Sequence, residues 1–166
     1  MIEWMRMAWE TIVLQPLEGE KRLFKIGLMT FKASSTKTDG QFAFIETELP
    51  PGSKVERHHH PEAEMFYIVS GTFDFWIDGT ADAIACGSGA FLCIPPDVPH
   101  SFANSGDRAG RIFGMLAPCR PEGLESFFRA MSIPVNDRAD VPDLNQTVEH
   151  VQQIIAKSRA TGAGQS

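Results

Sequence analysis

A chain of 166 residues is about one domain long and can bury a single sizeable core. Its net charge of −6, with no Lys/Arg cluster beyond Lys21-Arg22, argues against a nucleic-acid partner, which needs a basic face. No apolar run reaches the roughly 18 residues of a membrane span, and the start, Met1-Ile2-Glu3-Trp4, lacks an apolar stretch of signal-peptide length, so the expectation is a cytoplasmic protein with no membrane partner. Cys86, Cys93 and Cys119 are odd in number and lack Cys-x-x-Cys spacing, which predicts reduced, mostly buried thiols. Phe occurs 12 times and Tyr once, so the interior is expected to be lined by apolar rings with few phenol donors.

In chain order, Thr11–Leu14 and Leu23–Phe31 are short apolar runs separated by Pro16 and Gly19, and they read as an arm of short strands. From Gln41 to Met115, strand-like runs recur at Phe42–Leu49, Met65–Val69, Thr72–Ile77, Phe91–Ile94, His100–Ala103 and Arg111–Leu116. The turns between them are Pro50-Pro51-Gly52, Ser70-Gly71, Asp78-Gly79, Gly87-Ser88-Gly89, Pro95-Pro96-Asp97 and Asn104-Ser105-Gly106-Asp107. Many short strands with close turns predict an all-β sandwich or barrel, not alternating strands and helices. Phe42, Phe44, Phe66, Phe73, Phe75, Trp76, Phe91 and Phe102 are expected in its core. Leu124, Phe127, Phe128 and Met131 then recur at helical spacing and stop before Pro134. A second helix is predicted over Thr147–Ser158, with His150 on its solvated side, and residues 161–166 are expected to be a disordered tail.

Four of the five histidines fall in two stretches, Gly52-x5-His58-x-His60-x3-Glu64-x6-Gly71 and Gly89-x5-Pro95-x-Asp97-x2-His100-x3-Asn104. His58 and His60 are two apart, so on a strand they share a face while His59 points the other way. Glu64 follows where the strand resumes after Pro61, whereas Glu62 is too close to His60 to return to the pair. His100 arrives 36 residues after Glu64, a separation suited to a strand-turn-strand excursion that lays a new strand alongside the first. Three imidazoles and one carboxylate form a donor set for one divalent transition metal per chain that leaves positions open. With no Cys or Met at the ligand positions of either stretch, Fe(II), Mn(II), Ni(II), Zn(II) and Cu(II) all remain candidates. A surface histidine patch is the bland alternative, and glycines at fixed distances on both sides of the run fit it poorly.

Those two stretches resemble the two signature motifs of the cupin superfamily, separated by a short segment over 72–88. The similarity to single-domain, quercetin-dioxygenase-like cupins extends through Gly40-Gln41-Phe42, Glu64 to Gly71, and Gly123 to Phe128. The resemblance implies an all-β jelly-roll barrel with the metal held in its mouth by His58, His60, Glu64 and His100. The expected division is an arm over 1–35, the cupin barrel over 36–118, and a helical C-terminal extension over 119–166. One departure is Asp97, where the second motif usually has glycine. Asp is among the few residues that tolerate a left-handed backbone, so the turn is expected to survive.

By the same resemblance, oxygen-dependent cleavage of an aromatic or enol-type small molecule is the leading expectation, with Glu64 as the catalytic base as well as a ligand. Oxygen-independent isomerisation, decarboxylation or hydrolysis at the same metal, and non-catalytic binding of a small molecule, are the alternatives. Trp4, Trp9, Leu23 and Phe24 find no evident partner in a small barrel, which leads to the expectation of a homodimer formed through the arm.

Overall fold

The computed structural model describes Trp9 and residues 11–162. Trp4 and residues 163–166 lie outside the described residues. Eleven strands among those described form two antiparallel sheets. The larger takes the order β11 (Ile133–Val135), β1 (Glu20–Phe24), β2 (Gly27–Ala33), β3 (Ala43–Leu49), β10 (Gly110–Ala117), β5 (Ala63–Ser70), β8 (Phe91–Ile94). The smaller takes the order β4 (Lys54–His58), β9 (His100–Asn104), β6 (Thr72–Ile77), β7 (Ile84–Gly87). This is the all-β jelly-roll architecture expected from the sequence.

Side-chain alternation makes the core. On β6, Phe73 and Phe75 are fully buried while Thr72 and Asp74 face away, and on β10 the buried side chains are those of Ile112 and Leu116, with Gly110 buried beside them. Phe66 and Ile68 on β5 meet them from the larger sheet, in a cluster that also holds Phe24, Ile45 and Phe102. Rings pack at ordinary aromatic distances: Phe66 to Phe102 and Phe75 to Phe102 are both 5.3 Å between centroids. Glu64 occupies the same inward-facing register of β5 as Phe66 and Ile68, so the sheet's periodicity itself drives a carboxylate into the interior.

Several expectations need correction. Thr11–Leu14 forms no strand, and the run Leu23–Phe31 is split at Lys25-Ile26 into β1 and β2, which continue the larger sheet beside β3. Leu23 and Phe24 are buried within the chain, Leu23 in a second small core with Leu28, Leu144, Val151 and Ile155. Trp9 packs edge-on against Phe42, with ring centroids 5.2 Å apart. The apolar surface on which the dimer expectation rested is thus covered in part by the chain's own residues. Phe91, at 65% exposure, and Cys93 are on the surface instead of in the core, because side-chain alternation puts both on the outer face of the sheet, where Tyr67 of the neighbouring β5 is exposed beside Phe91. Strands β4, β7 and β11 were not separated in the sequence, since they are three to five residues long and carry no clear alternation.

Helix α1 spans Leu124–Met131, as the spacing predicts. It docks across β1, where Phe24 meets Phe127 and Phe128 at 6.3 and 5.9 Å. Arg129 closes the contact: it pairs with Glu125 and Glu20 and lies over the Phe31 ring, 4.2 Å from its centroid. Helix α2 spans Val148–Gly162, so residues 161 and 162, expected in the tail, continue it. His150 is exposed, as expected.

Asp97 has φ of 61°, the left-handed conformation inferred for it, and its amide donates to the His60 carbonyl at 2.9 Å. A glycine carries no Cβ penalty there, and a β-branched residue carries the full one. Asp97→Gly should therefore leave stability unchanged or slightly raised, while Asp97→Val should lower it by about 1–2 kcal/mol in urea melts. Equal midpoints for the two variants would contradict the role given to this turn.

Candidate metal centre

The two sheets converge on one cluster. His58 closes β4 and His100 opens β9, where they form a cross-strand pair, and Glu64 reaches them from β5 in the other sheet. The excursion between Glu64 and His100 therefore lays β9 beside β4, not beside the strand that carries Glu64. His60 lies beyond the end of β4, and the β4–β9 register shifts between Val55 and His58. Strand alternation is thus not what aims His60 inward; the loop does so, anchored where the Asp97 amide meets the His60 carbonyl. One donor atom from each of His58, His60, Glu64 and His100 can be chosen so that all lie within 4.8 Å of one another. These are the four residues singled out in the sequence. His59 points away and is exposed, 3.9 Å from the Asp97 carboxylate.

Glu64 Oε2 is the centre of the cluster. It lies 3.0 Å from His60 Nε2 and 3.1 Å from His100 Nε2. The far side of each ring is held as well. His58 Nδ1 is 2.9 Å from the Glu56 carbonyl oxygen, and His100 Nδ1 is 2.9 Å from the Val98 carbonyl oxygen. A carbonyl oxygen only accepts, so both Nδ1 atoms carry the proton and donate. Each neutral ring then presents an Nε2 lone pair to the cluster. At His100, that lone pair faces a carboxylate oxygen at 3.1 Å, an arrangement of two acceptors that is repulsive unless positive charge sits between or on them. A proton on the ring, or a metal ion, meets the requirement.

Sequence reasoning set Glu62 aside, and the structure brings it in. Its carboxylate is 1% exposed, with Oε2 3.3 Å from His60 Nδ1. The acidic partner of the third imidazole is thus a side chain, in place of the main-chain carbonyls behind the other two. The signal was a Glu two residues from a ligand histidine, and the expectation that Glu62 is too close to His60 to return fails because the two sit in a loop, where the chain can fold the carboxylate back behind the ring.

The electrostatics follow from this crowding. Burial lowers the His58 pKa, and the proximity of the His100 ring lowers it further, against the hydrogen bond to Glu56. Burial would lower His60 too, yet the carboxylates of Glu64 and Glu62 outweigh it and raise its pKa. Burial would raise Glu64, but its contacts with His100 and His60 prevail, so its pKa is lowered and it is held ionised.

A cavity of about 290 Å³ opens beside the cluster, with His58 and Glu64 in its wall. Phe24, Phe66, Phe102, Phe127 and Phe128 supply aromatic surface, so α1 contributes part of the lining together with the barrel. Lys25, Thr47, Lys54, Glu56 and Arg57 are also among its lining residues. It is an apolar chamber with one strongly polar spot, the usual character of a small-molecule site. Among the described residues no helix is long and apolar enough to cross a membrane.

Comparison with known proteins agrees with this geometry. Residues 45–115 match the cupin domain family. The chain is 33% identical over 124 residues to a quercetin 2,3-dioxygenase of Bacillus subtilis (strain 168), an alignment covering 74% of this chain and 35% of that protein. It is 36% identical over 75 residues to polyketide synthase CurC of Streptomyces cyaneus, covering 45% of this chain and 47% of the relative. The chain thus spans between about a third and a half of the length of the curated relatives it matches. Among solved structures, the polyketide cyclase RemF of Streptomyces resistomycificus superposes with a TM-score of 0.59 at 14% identity, covering 88% of this chain and 99% of that one. The motif residues and the two-sheet jelly roll agree with the match over 45–115: this part of the chain is a cupin domain.

Proposed function

We propose that this chain is a metal-dependent cupin enzyme of dioxygenase-like type, acting on an aromatic or enol-type small molecule. His58, His60, Glu64 and His100 hold one divalent transition metal per chain. The observation that carries the reading is the pairing of His100 Nε2 with Glu64 Oε2 at 3.1 Å while His100 Nδ1 is committed to the Val98 carbonyl. Two acceptors are aimed at one point, and two further imidazoles are aimed at the same place. The donor set of three borderline nitrogens and one hard oxygen fits Fe, Mn, Ni, Zn or Cu as divalent ions.

A divalent ion bound there supplies Lewis-acid stabilisation of a substrate oxyanion and, if redox-active, a site for dioxygen. The protein's own residues do the rest. Phe66 and Phe102 present ring faces and edges to an aromatic substrate, and the apolar walls keep bulk water from the reacting centre. The main-chain carbonyls of Glu56 and Val98 fix the His58 and His100 rings with Nε2 inward. Glu64, held ionised on the inner face of β5, takes the phenol or enol proton onto a carboxylate oxygen as the substrate enters. In the cluster it is the single carboxylate that borders the cavity directly.

The likeness to quercetin 2,3-dioxygenase supports the oxygen-dependent form. The likeness to CurC supports a second form, in which the same base and metal act on an enol or phenol without oxygen.

Each of His58→Ala, His60→Ala and His100→Ala is expected to lose most of the bound metal, and to melt lower than the metal-loaded wild type because metal binding stabilises the folded state. His59→Ala should keep wild-type metal content. Elemental analysis of protein purified without a histidine tag decides it: equal content in all five proteins would remove the metal assignment.

Glu64→Gln separates the base role from the ligand role. As a base, its loss should leave metal-matched protein slower by about 10²–10⁴-fold in single turnover with a phenolic substrate. Oxygen uptake and product formation are read together, so turnover without oxygen consumption would select the oxygen-independent form. Equal rates for wild type and Glu64→Gln would exclude Glu64 as the base.

A further inference from the structure

We propose that Glu62 is a positioning residue that couples the orientation of His60 to the docking of helix α1, so that the metal centre and one wall of the cavity are set together. The inference rests on the metal-centre reading above and adds to it a residue and a connection that the four ligands do not contain.

The geometry is a relay through one buried carboxylate. Glu62 Oε1 accepts a hydrogen bond from the Leu124 amide at 3.1 Å, the first amide of α1. Glu62 Oε2 faces His60 Nδ1 at 3.3 Å, and neither of those two atoms has a hydrogen bond of ordinary geometry among the described residues. A buried imidazole nitrogen and a buried carboxylate oxygen, each otherwise unpartnered, have one another as the available match. The space is also fitted to Glu62 from the helix side: a Cβ on Gly123 would lie 2.0 Å from Glu62 Oε1, so the residue that opens α1 must lack one.

The contrast with the other imidazoles gives the relay its meaning. His58 and His100 are oriented by main-chain carbonyls next to them in the chain, each two residues away, one on β4 and the other in the turn that leads into β9. His60 is oriented by a side chain whose other oxygen is fastened to a helix. Where α1 sits therefore decides where the Glu62 carboxylate sits, and that carboxylate sets the tilt and donor strength of the His60 ring. Helix α1 in turn carries Leu124, Phe127 and Phe128 into the cavity lining. A substrate pressing on those side chains acts on His60, and a metal that fixes His60 tightens α1. Coupling of this kind is reciprocal.

The test reads Co(II) affinity by spectroscopic titration and amide hydrogen exchange over residues 124–131, with and without Co(II). In the wild type, Co(II) should slow exchange over α1. In Glu62→Gln, where shape is kept, Co(II) affinity should fall by about 10–100-fold, the usual effect of removing an outer partner of a ligand histidine, and the response of α1 should disappear. Gly123→Ala leaves Glu62 and all four ligands unchanged in sequence but crowds the relay from the helix side. It should weaken Co(II) in the same direction, which keeps the test decisive if Glu62→Gln folds poorly. A Glu62 that only supports the fold would lower the melting temperature of the metal-free protein with Co(II) affinity and the α1 response intact, and that result would overturn the proposal. Failure of the wild type to take up Co(II) would remove the metal-centre reading and this inference with it, whereas wild-type uptake with unaffected variants would remove this inference alone.

Discussion

The structure turns on one ionised carboxylate in an apolar interior. Glu64 occupies a core-facing position of β5, in register with Phe66 and Ile68, where an unpaired charge would cost several kcal/mol. Imidazoles from β9 and from the loop after β4 reach it at hydrogen-bonding distance and hold its pKa down. That arrangement offsets the cost only while the rings supply positive charge or share a metal. Most of the site's other features arrange those rings: the turn at Asp97, the carbonyls of Glu56 and Val98, and the buried Glu62. The fold's contribution is to bring the open ends of two sheets to the same point, so that ligands 36 residues apart in the chain meet.

The same arrangement explains why the cavity is apolar. Five phenylalanines line it together with Ile26, Met29, Ile45 and Leu49, so apolar side chains make up most of the wall. In such surroundings the interactions made by Glu64 and the histidines are stronger than they would be in water. Placing α1 over the cavity extends the apolar wall beyond the barrel, and the ion pair of Arg129 with Glu20 on β1 fastens the helix to the sheet, while Glu125, on the helix itself, orients the Arg129 guanidinium. Part-exposed pairs such as Arg129–Glu20 contribute little each, whereas the Glu125 partner is buried. Their geometry, together with the Phe24 contacts, sets the position of the helix more than its stability.

Much of this was legible in the sequence, for physical reasons. The four cluster residues stand at spacings that survive in a one-dimensional reading because the turns around them demand glycine, proline or a left-handed Asp. Asp97 shows the rule holding through an exception, since its φ of 61° is one that Asp accepts. Runs such as Thr72–Ile77 and Phe91–Ile94 coincide with β6 and β8 because apolar content and turn residues bound them. What failed was exposure and partnership. Phe91 is expected inside, yet alternation puts it on the outer face of β8, and an apolar residue at both ends of a four-residue run leaves the inward face unmarked. Glu62 looks too close to His60 to return to it, yet the loop that holds both folds the carboxylate back to the ring. Leu23 and Phe24 looked unpartnered because their partners, in α2 and α1, lie about a hundred residues or more downstream.

The central claim is that three imidazoles and one carboxylate oxygen converge on a single metal ion. X-ray absorption at the metal edge of the reconstituted, tag-free protein measures this directly, because imidazole rings give a characteristic outer-shell scattering that counts them. The account predicts three histidines per metal, with nitrogen and oxygen donors at about 2.0–2.2 Å for a zinc-sized ion. A sulfur donor at about 2.3 Å, or fewer than three imidazoles, would contradict it.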